Sequence, residues 1–224
     1  MERGYKDYLR RFRKVWARFW YFFWEEDTLL SWVVNIVVAF ILIKWVIYPG
    51  LGLILSTDFP IVAVVSPSME HRGMGFEEWW DANHAWYESH NISKSDFEGF
   101  SFKNGFNKGD IMVLYGIDGV EVGDVVVFWG GKKEPIIHRA VVRWEADGDF
   151  RFQTKGDNNM DSLQVYQNFL GARVPKGSEG AIKVIDETDI GKDDLVGKAI
   201  LRIPYLGYIK IWFVELLQFL NITK

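Results

Sequence analysis

The sequence predicts a mainly β domain tethered to a membrane by one helix, and three stretches carry that expectation. Residues 109–155 are short β-branched runs punctuated by turns: GDIMVLYG, GDVVVFWG, EPIIHRAVVRW and DFRFQTKGDNN. Residues 29–48 are apolar except for Ser31, Asn35 and Lys44, and as a helix they would cross about 30 Å of hydrocarbon. Residues 61–70, IVAVVSPSME, run from five apolar residues into a polar corner with two serines and a proline.

Taken in order, residues 1–28 form a basic amphipathic helix. Tyr5, Tyr8, Leu9, Phe12, Val15, Trp16, Phe19, Trp20 and Phe23 recur at helical spacing, with Arg10, Arg11, Arg13, Lys14 and Arg18 mostly opposite. Such a helix suits the headgroup region of an anionic bilayer. Residues 29–48 then span the membrane, Lys44 snorkels outward, and Pro49-Gly50 ends the helix. The basic residues ahead of the span place the N-terminus in the cytoplasm and the remainder on the extracytoplasmic side of the cell membrane.

A β domain is expected over residues 59–204. Residues 61–65 read as a short buried strand, which Pro67 ends because it has a fixed φ and no N–H, presenting Ser68 in one orientation. A nucleophile is mounted that way, although an ordinary turn fits the same letters. The aromatic-rich insertion 71–107 contains FEEWWDANHAWY, a short helix. His84 and Glu88 are spaced i, i+4 near His71, Asp81 and His90, but no second ligand pair follows. No metal is expected there, and a lid or membrane-dipping segment fits better.

Asn91-Ile92-Ser93 and Asn221-Ile222-Thr223 match the glycosylation sequon. Alternation in the strand after Pro135 puts Ile136, His138 and Ala140 on one face. Residues 171–197 read as a loop and a polar edge, and residues 196–203 as a strand closed by Pro204. The tail, 205–224, is apolar but carries Lys210, Glu215 and Gln218, which favours an interfacial helix over a second span.

The net charge of −4 argues against nucleic acid as a partner. With no cysteine, disulfides, thiolate nucleophiles and Cys-based metal sites are excluded. Aromatic residues at 17% of the chain, 11 of them Trp, suit a membrane interface. Ser68, His138, Asp157 and Asp161 supply the residue types of acyl transfer. A serine needs a base to take its proton, imidazole has the suitable pKa, and a carboxylate on the other ring nitrogen fixes the tautomer.

These residues lie in motifs that resemble type I signal peptidases, in the archaeal and endoplasmic-reticulum branch that uses histidine where the bacterial branch uses lysine. The matching pieces, in order, are an N-terminal span, SPSM at 66–69, GDIMVL at 109–114, GDVVVF at 123–128, IIHRAV at 136–141, TKGDNN at 154–159 and GKAILRIPYLGY at 197–208. The resemblance implies Ser68 as nucleophile and His138 as general base. Ser66 and Met69 would flank the oxyanion and substrate, with Ser66 either donating its hydroxyl or capping the turn. Asp161 would orient His138, and Asp157 would structure the turn or act as alternative partner. Leu163 occupies the place where the family more usually carries its triad aspartate. Proline is missing after the Ser-Met pair, and residues 171–194 have no clear counterpart.

The resemblance further implies a signal-peptidase-like β catalytic domain that needs no cofactor. Its activity would be that of a membrane-bound serine endopeptidase, removing N-terminal signal peptides from exported proteins after small residues, with the substrate bound as an extended strand. Partners would be preproteins, the lipid bilayer and other membrane subunits. A related processing peptidase with other substrates, or a noncatalytic membrane-anchored β module, would share the same fold.

Overall fold

Two helical runs make up most of the first of two units, residues 1–51 and 52–224, into which the chain divides. The computed structural model describes residues 2–130, 135–146, 148–209, 211–212 and 215. Helix α1 (Glu2–Trp24) is followed by α2 (Leu29–Leu42), which Thr28 caps by accepting the Ser31 N–H at 3.2 Å. The Asn35 amide donates to the Phe23 carbonyl at 3.1 Å and ties α2 to α1.

Pro49-Gly50 does not end the apolar helix. It continues through a π turn (Ile43–Ile47) into α3 (Tyr48–Leu55), a run of 27 residues long and apolar enough to cross a membrane. The π turn explains the continuity. Proline has no N–H and crowds the carbonyl four residues back, and the wide turn, in which the Tyr48 N–H reaches Ile43, opens the ladder just ahead of it.

The second unit is built on β1 (Ile61–Ala63), α4 (Phe76–Ser89), α5 (Lys94–Glu98), β2 (Ile111–Tyr115), β3 (Val125–Phe128), β4 (Ile136–Ala146), β5 (Asp149–Lys155), β6 (Gln164–Gln167), β7 (Arg173–Val174), β8 (Ile182–Asp186), β9 (Ile190–Gly191) and β10 (Leu195–Ile203). Seven strands form a curled sheet in the order β1-β2-β10-β3-β4-β5-β9, and three form a small sheet, β7-β6-β8. Strand β3 is buried along its whole length. Val125 and Val127 enter one core with Met69, Met112 and Leu114, while Val126 and Phe128 enter another with Phe150 and Phe152.

Both Gly-Asp pairs make the turns expected of them. Gly109 and Gly123 adopt φ of +92° and +98°, and the following aspartates accept the backbone N–H groups of Asn107 and Glu121.

Three expectations change. Strand β1 is short and lies at the sheet edge, with Ile61 and Val65 exposed rather than buried. Residues 171–197 are not a plain loop, because β7, β8 and β9 form there. The insertion is neither lid nor membrane-dipping flap: Trp79, Trp80, Tyr87, Ile92 and Phe97 pack with Val141 into a third buried cluster. Burying that much aromatic area is worth more than leaving it at a surface. Most of the tail, including the Asn221 sequon, lies outside the described residues.

Candidate active site

The loop after β1 is clamped onto the turn after β5. The Asn158 N–H donates to the Ser68 carbonyl at 2.8 Å, and its side-chain amide donates to the Pro67 carbonyl at 3.0 Å. Met69 is fully buried. Its sulfur accepts the Asp157 N–H at 3.4 Å and its carbonyl accepts the Phe106 N–H at 3.0 Å. Its side chain is therefore the anchor of the loop and cannot face a substrate as expected. With the loop pinned at both neighbours, Ser66 and Ser68 remain at the surface side, their Oγ atoms 3.0 Å apart.

His138 lies on β4, paired with Val126 of β3, and is buried. Its Nε2 and the Ser68 carbonyl converge over Gly156: a Cβ on that glycine would lie 2.9 Å from Nε2 and 2.7 Å from the carbonyl oxygen. The absence of a side chain at Gly156 lets the serine loop and the imidazole approach each other. His138 Nδ1 is 2.5 Å from Glu187 Oε1, and Glu187 Oε2 accepts the Leu163 N–H at 2.9 Å.

The expected carboxylate partner is thus not on His138. Asp161 is exposed and accepts the Trp86 indole N–H at 3.0 Å and the Ser162 N–H at 2.7 Å. Sequence reasoning did not find Glu187. It follows β8 in a run of acidic and polar residues that carries no local signal, and only strand register brings it beside the imidazole.

Asp157 is also occupied. Fully buried, it accepts two bonds from Arg139, at 3.0 and 2.8 Å, one from the Tyr87 hydroxyl at 3.2 Å, and lies 3.2 Å from His71 Nε2. Burial alone would raise its carboxyl, but the Arg139 charge and the bonds from His71 and Arg139 outweigh that and hold it well below the usual carboxylate range. Burial and the Asp157 charge push the Tyr87 hydroxyl well above its ordinary value.

Lys155, beside Gly156, lies over the rings of Trp86 and Tyr87 and donates to the Gly156 carbonyl at 3.2 Å. Desolvation lowers its ammonium to about 8. His71 stacks on Trp79 at 3.9 Å, and His84 Nδ1 lies 3.1 Å from the Asp81 carbonyl. Among the described residues no group of three His, Asp or Glu side chains is placed to hold a metal ion.

No family model matches the chain. It is similar to signal peptidase complex catalytic subunits SEC11. That of Colletotrichum graminicola is 26% identical over 191 residues, 84% of this chain and 80% of the relative. That of Clavispora lusitaniae is 36% identical over 126 residues, 53% of this chain and 64% of the relative. SEC11C of Canis lupus familiaris is 29% identical over 170 residues, 74% and 62% of the two chains. The likeness to signal peptidases first read from short motifs extends over most of the chain.

Proposed function

We propose that this relative of the signal peptidase catalytic subunits is a membrane-bound serine endopeptidase that cleaves N-terminal signal peptides from exported proteins. One observation carries the catalytic part: the Ser68 backbone carbonyl and His138 Nε2 converge over Gly156, which brings the serine loop beside the imidazole, on a loop and a strand otherwise fixed by buried contacts. His138 takes the Ser68 proton as the hydroxyl attacks the scissile carbonyl, then passes that proton to the leaving amine. Water hydrolyses the acyl-enzyme by the same route in reverse. The Ser68 N–H and the Ser66 hydroxyl stabilise the oxyanion, consistent with Ser66 Oγ lying 3.0 Å from Ser68 Oγ.

The outer side of the edge strand β1 offers unpaired backbone groups on which an extended substrate segment can add a strand. Its end leads into the serine loop, so a bound segment runs toward Ser68. The apolar helix Leu29–Leu55 tethers the domain to the bilayer, which raises its effective concentration toward signal segments held in the same membrane. The relatives' description as subunits of a complex supports further membrane partners.

The test is cleavage of a preprotein in liposomes by wild type, Ser68→Ala and His138→Ala, with the new N-terminus sequenced. Cutting after a small residue at the signal junction by wild type alone is the expected result. Equal behaviour of wild type and Ser68→Ala would remove the catalytic assignment and favour a noncatalytic membrane module.

A further inference from the structure

We infer that Glu187 is the positioning residue of His138, supplying from the small sheet the carboxylate that fixes the imidazole and stabilises its protonated form. This rests on the reading of Ser68 and His138 as nucleophile and base. The contact is direct, 2.5 Å from Glu187 Oε1 to His138 Nδ1, between two buried side chains. Asp157 is held by Arg139, and Asp161 is turned to Trp86 and exposed.

The rest of Glu187 is fixed as well. Its N–H donates to the Leu163 carbonyl and its carbonyl accepts the Thr154 N–H, both at 2.9 Å, while Oε2 accepts the Leu163 N–H. Among the described residues, His138 is its one ion-pair partner. A carboxylate buried in this way costs desolvation, and the imidazolium formed during proton transfer is the cation that offsets it.

The register explains how this residue reaches the site. Strand β6 pairs with β8 through Gln164 opposite Asp186, and just past this last rung Leu163 comes opposite Glu187, whose N–H donates to the Leu163 carbonyl while the Leu163 N–H turns to Glu187 Oε2. Directly opposed residues of an antiparallel pair send their side chains to the same face, with Cα atoms about 4.5–5.5 Å apart. Glu187 therefore approaches His138 from the strand next to Leu163, and the extra methylene of glutamate helps to span the offset. The small sheet becomes a working part of the site.

The groups able to confuse a pH profile are few. Lys155 on β5 is coupled electrostatically to Glu187, Asp157, Asp161 and Arg139, and Asp157 is neutralised by Arg139. The Asp157–Arg139 pair keeps its charges across the acid limb, and Lys155, lowered to about 8, titrates above it.

The experiment compares wild type, Glu187→Gln, Glu187→Ala, the double variant Glu187→Ala/Leu163→Asp, Asp161→Asn and Ser68→Ala in full-length protein in liposomes, with thermal melts confirming folding. Glu187→Gln is expected to lose about 10²–10⁴ in kcat with little change in KM. Its acid limb should move to lower pH, because the imidazolium has lost its carboxylate. Asp161→Asn should stay within about threefold of wild type. Placing aspartate on the opposing rung should recover at least about tenfold over Glu187→Ala, since the new carboxylate lies on the same face.

Glu187→Gln within about twofold of wild type, beside an inactive Ser68→Ala, overturns the inference. So does a loss with an unmoved pH profile and no rescue, which would mark Glu187 as merely structural. If Ser68→Ala itself stays active, the catalytic reading fails instead, and the two failures are told apart.

Discussion

At the scale of single residues, Gly156 decides whether the two halves of the site can meet. A Cβ there would lie 2.7 Å from the Ser68 carbonyl oxygen, 2.8 Å from Asn159 Nδ2 and 2.9 Å from His138 Nε2, each closer than real contacts allow. Gly156→Ala should therefore push loop and imidazole apart and lower kcat/KM by about 10²-fold. A preprotein cleavage assay beside a melt near the wild-type temperature would separate this from unfolding. Asp157 tests the opposite case, stability without chemistry. Removing its charge leaves Arg139 buried without a counterion, a loss of about 3–5 kcal/mol. Its folded carboxyl is depressed, so the contribution is complete above the ordinary value of 3.8 and fades as pH falls below it. Urea melts of Asp157→Asn and wild type should differ most at neutral pH and converge on acidification. Of the proposed site, Ser68 and His138 were legible because each sits in a motif with local meaning, a strand end closed by Pro67 and a histidine-arginine pair. Glu187 was not, since its role depends on which rung of β6 it faces, and spacing along the chain does not encode register.

At the scale of elements, the insertion is a structural support whose aromatic content was visible but whose destination was not. Eleven tryptophans and a membrane span nearby made an interface the natural reading, yet Trp79 and Tyr87 are fully buried and brace the charges behind the site. Trp79→Ala removes the ring stacked on His71 and opens a cavity, so a loss of about 3–5 kcal/mol is expected by chemical denaturation. Lys155 reports on the same packing through pH. Its native ammonium titrates at about 8 against 10.5 for the exposed group, because burial disfavours the charged form. Between those values the unfolded chain holds more protons than the native one, so stability rises with pH across that window. Wild type should gain on Lys155→Met from pH 8 to 10.5 in denaturant melts. Parallel curves would mean that Lys155 is not buried between Trp86 and Tyr87. The apolar helix shows a similar limit of pattern reading: Pro49 is a helix breaker by its chemistry, and only a π turn five residues long makes it tolerable.

At the scale of the whole molecule, the proposed tether and catalytic unit imply a fixed topology that the chain's own composition makes easy to test. Helix α1 shows its aromatic groups to the outside, with Phe12, Trp16, Phe19 and Trp20 more than half exposed and Arg10, Arg11, Arg13, Lys14 and Arg18 exposed beside them. The helix Leu29–Leu55 is left largely exposed by the described residues. In the proposed function that apolar surface lies in a bilayer, and the basic residues ahead of the span keep the N-terminus in the cytoplasm. Because the chain has no cysteine, a single introduced one is the only thiol present. Arg11→Cys lies in α1, and Met160→Cys replaces a side chain that is 95% exposed near the site. In sealed vesicles a membrane-impermeant maleimide added outside should label one of these two variants and not the other, with both labelled once detergent opens the vesicles. Equal labelling of both from outside would mean that residues 29–55 do not separate the amphipathic helix from the catalytic unit. The tethered-peptidase reading would then lose its geometry even if Ser68 and His138 kept their chemistry.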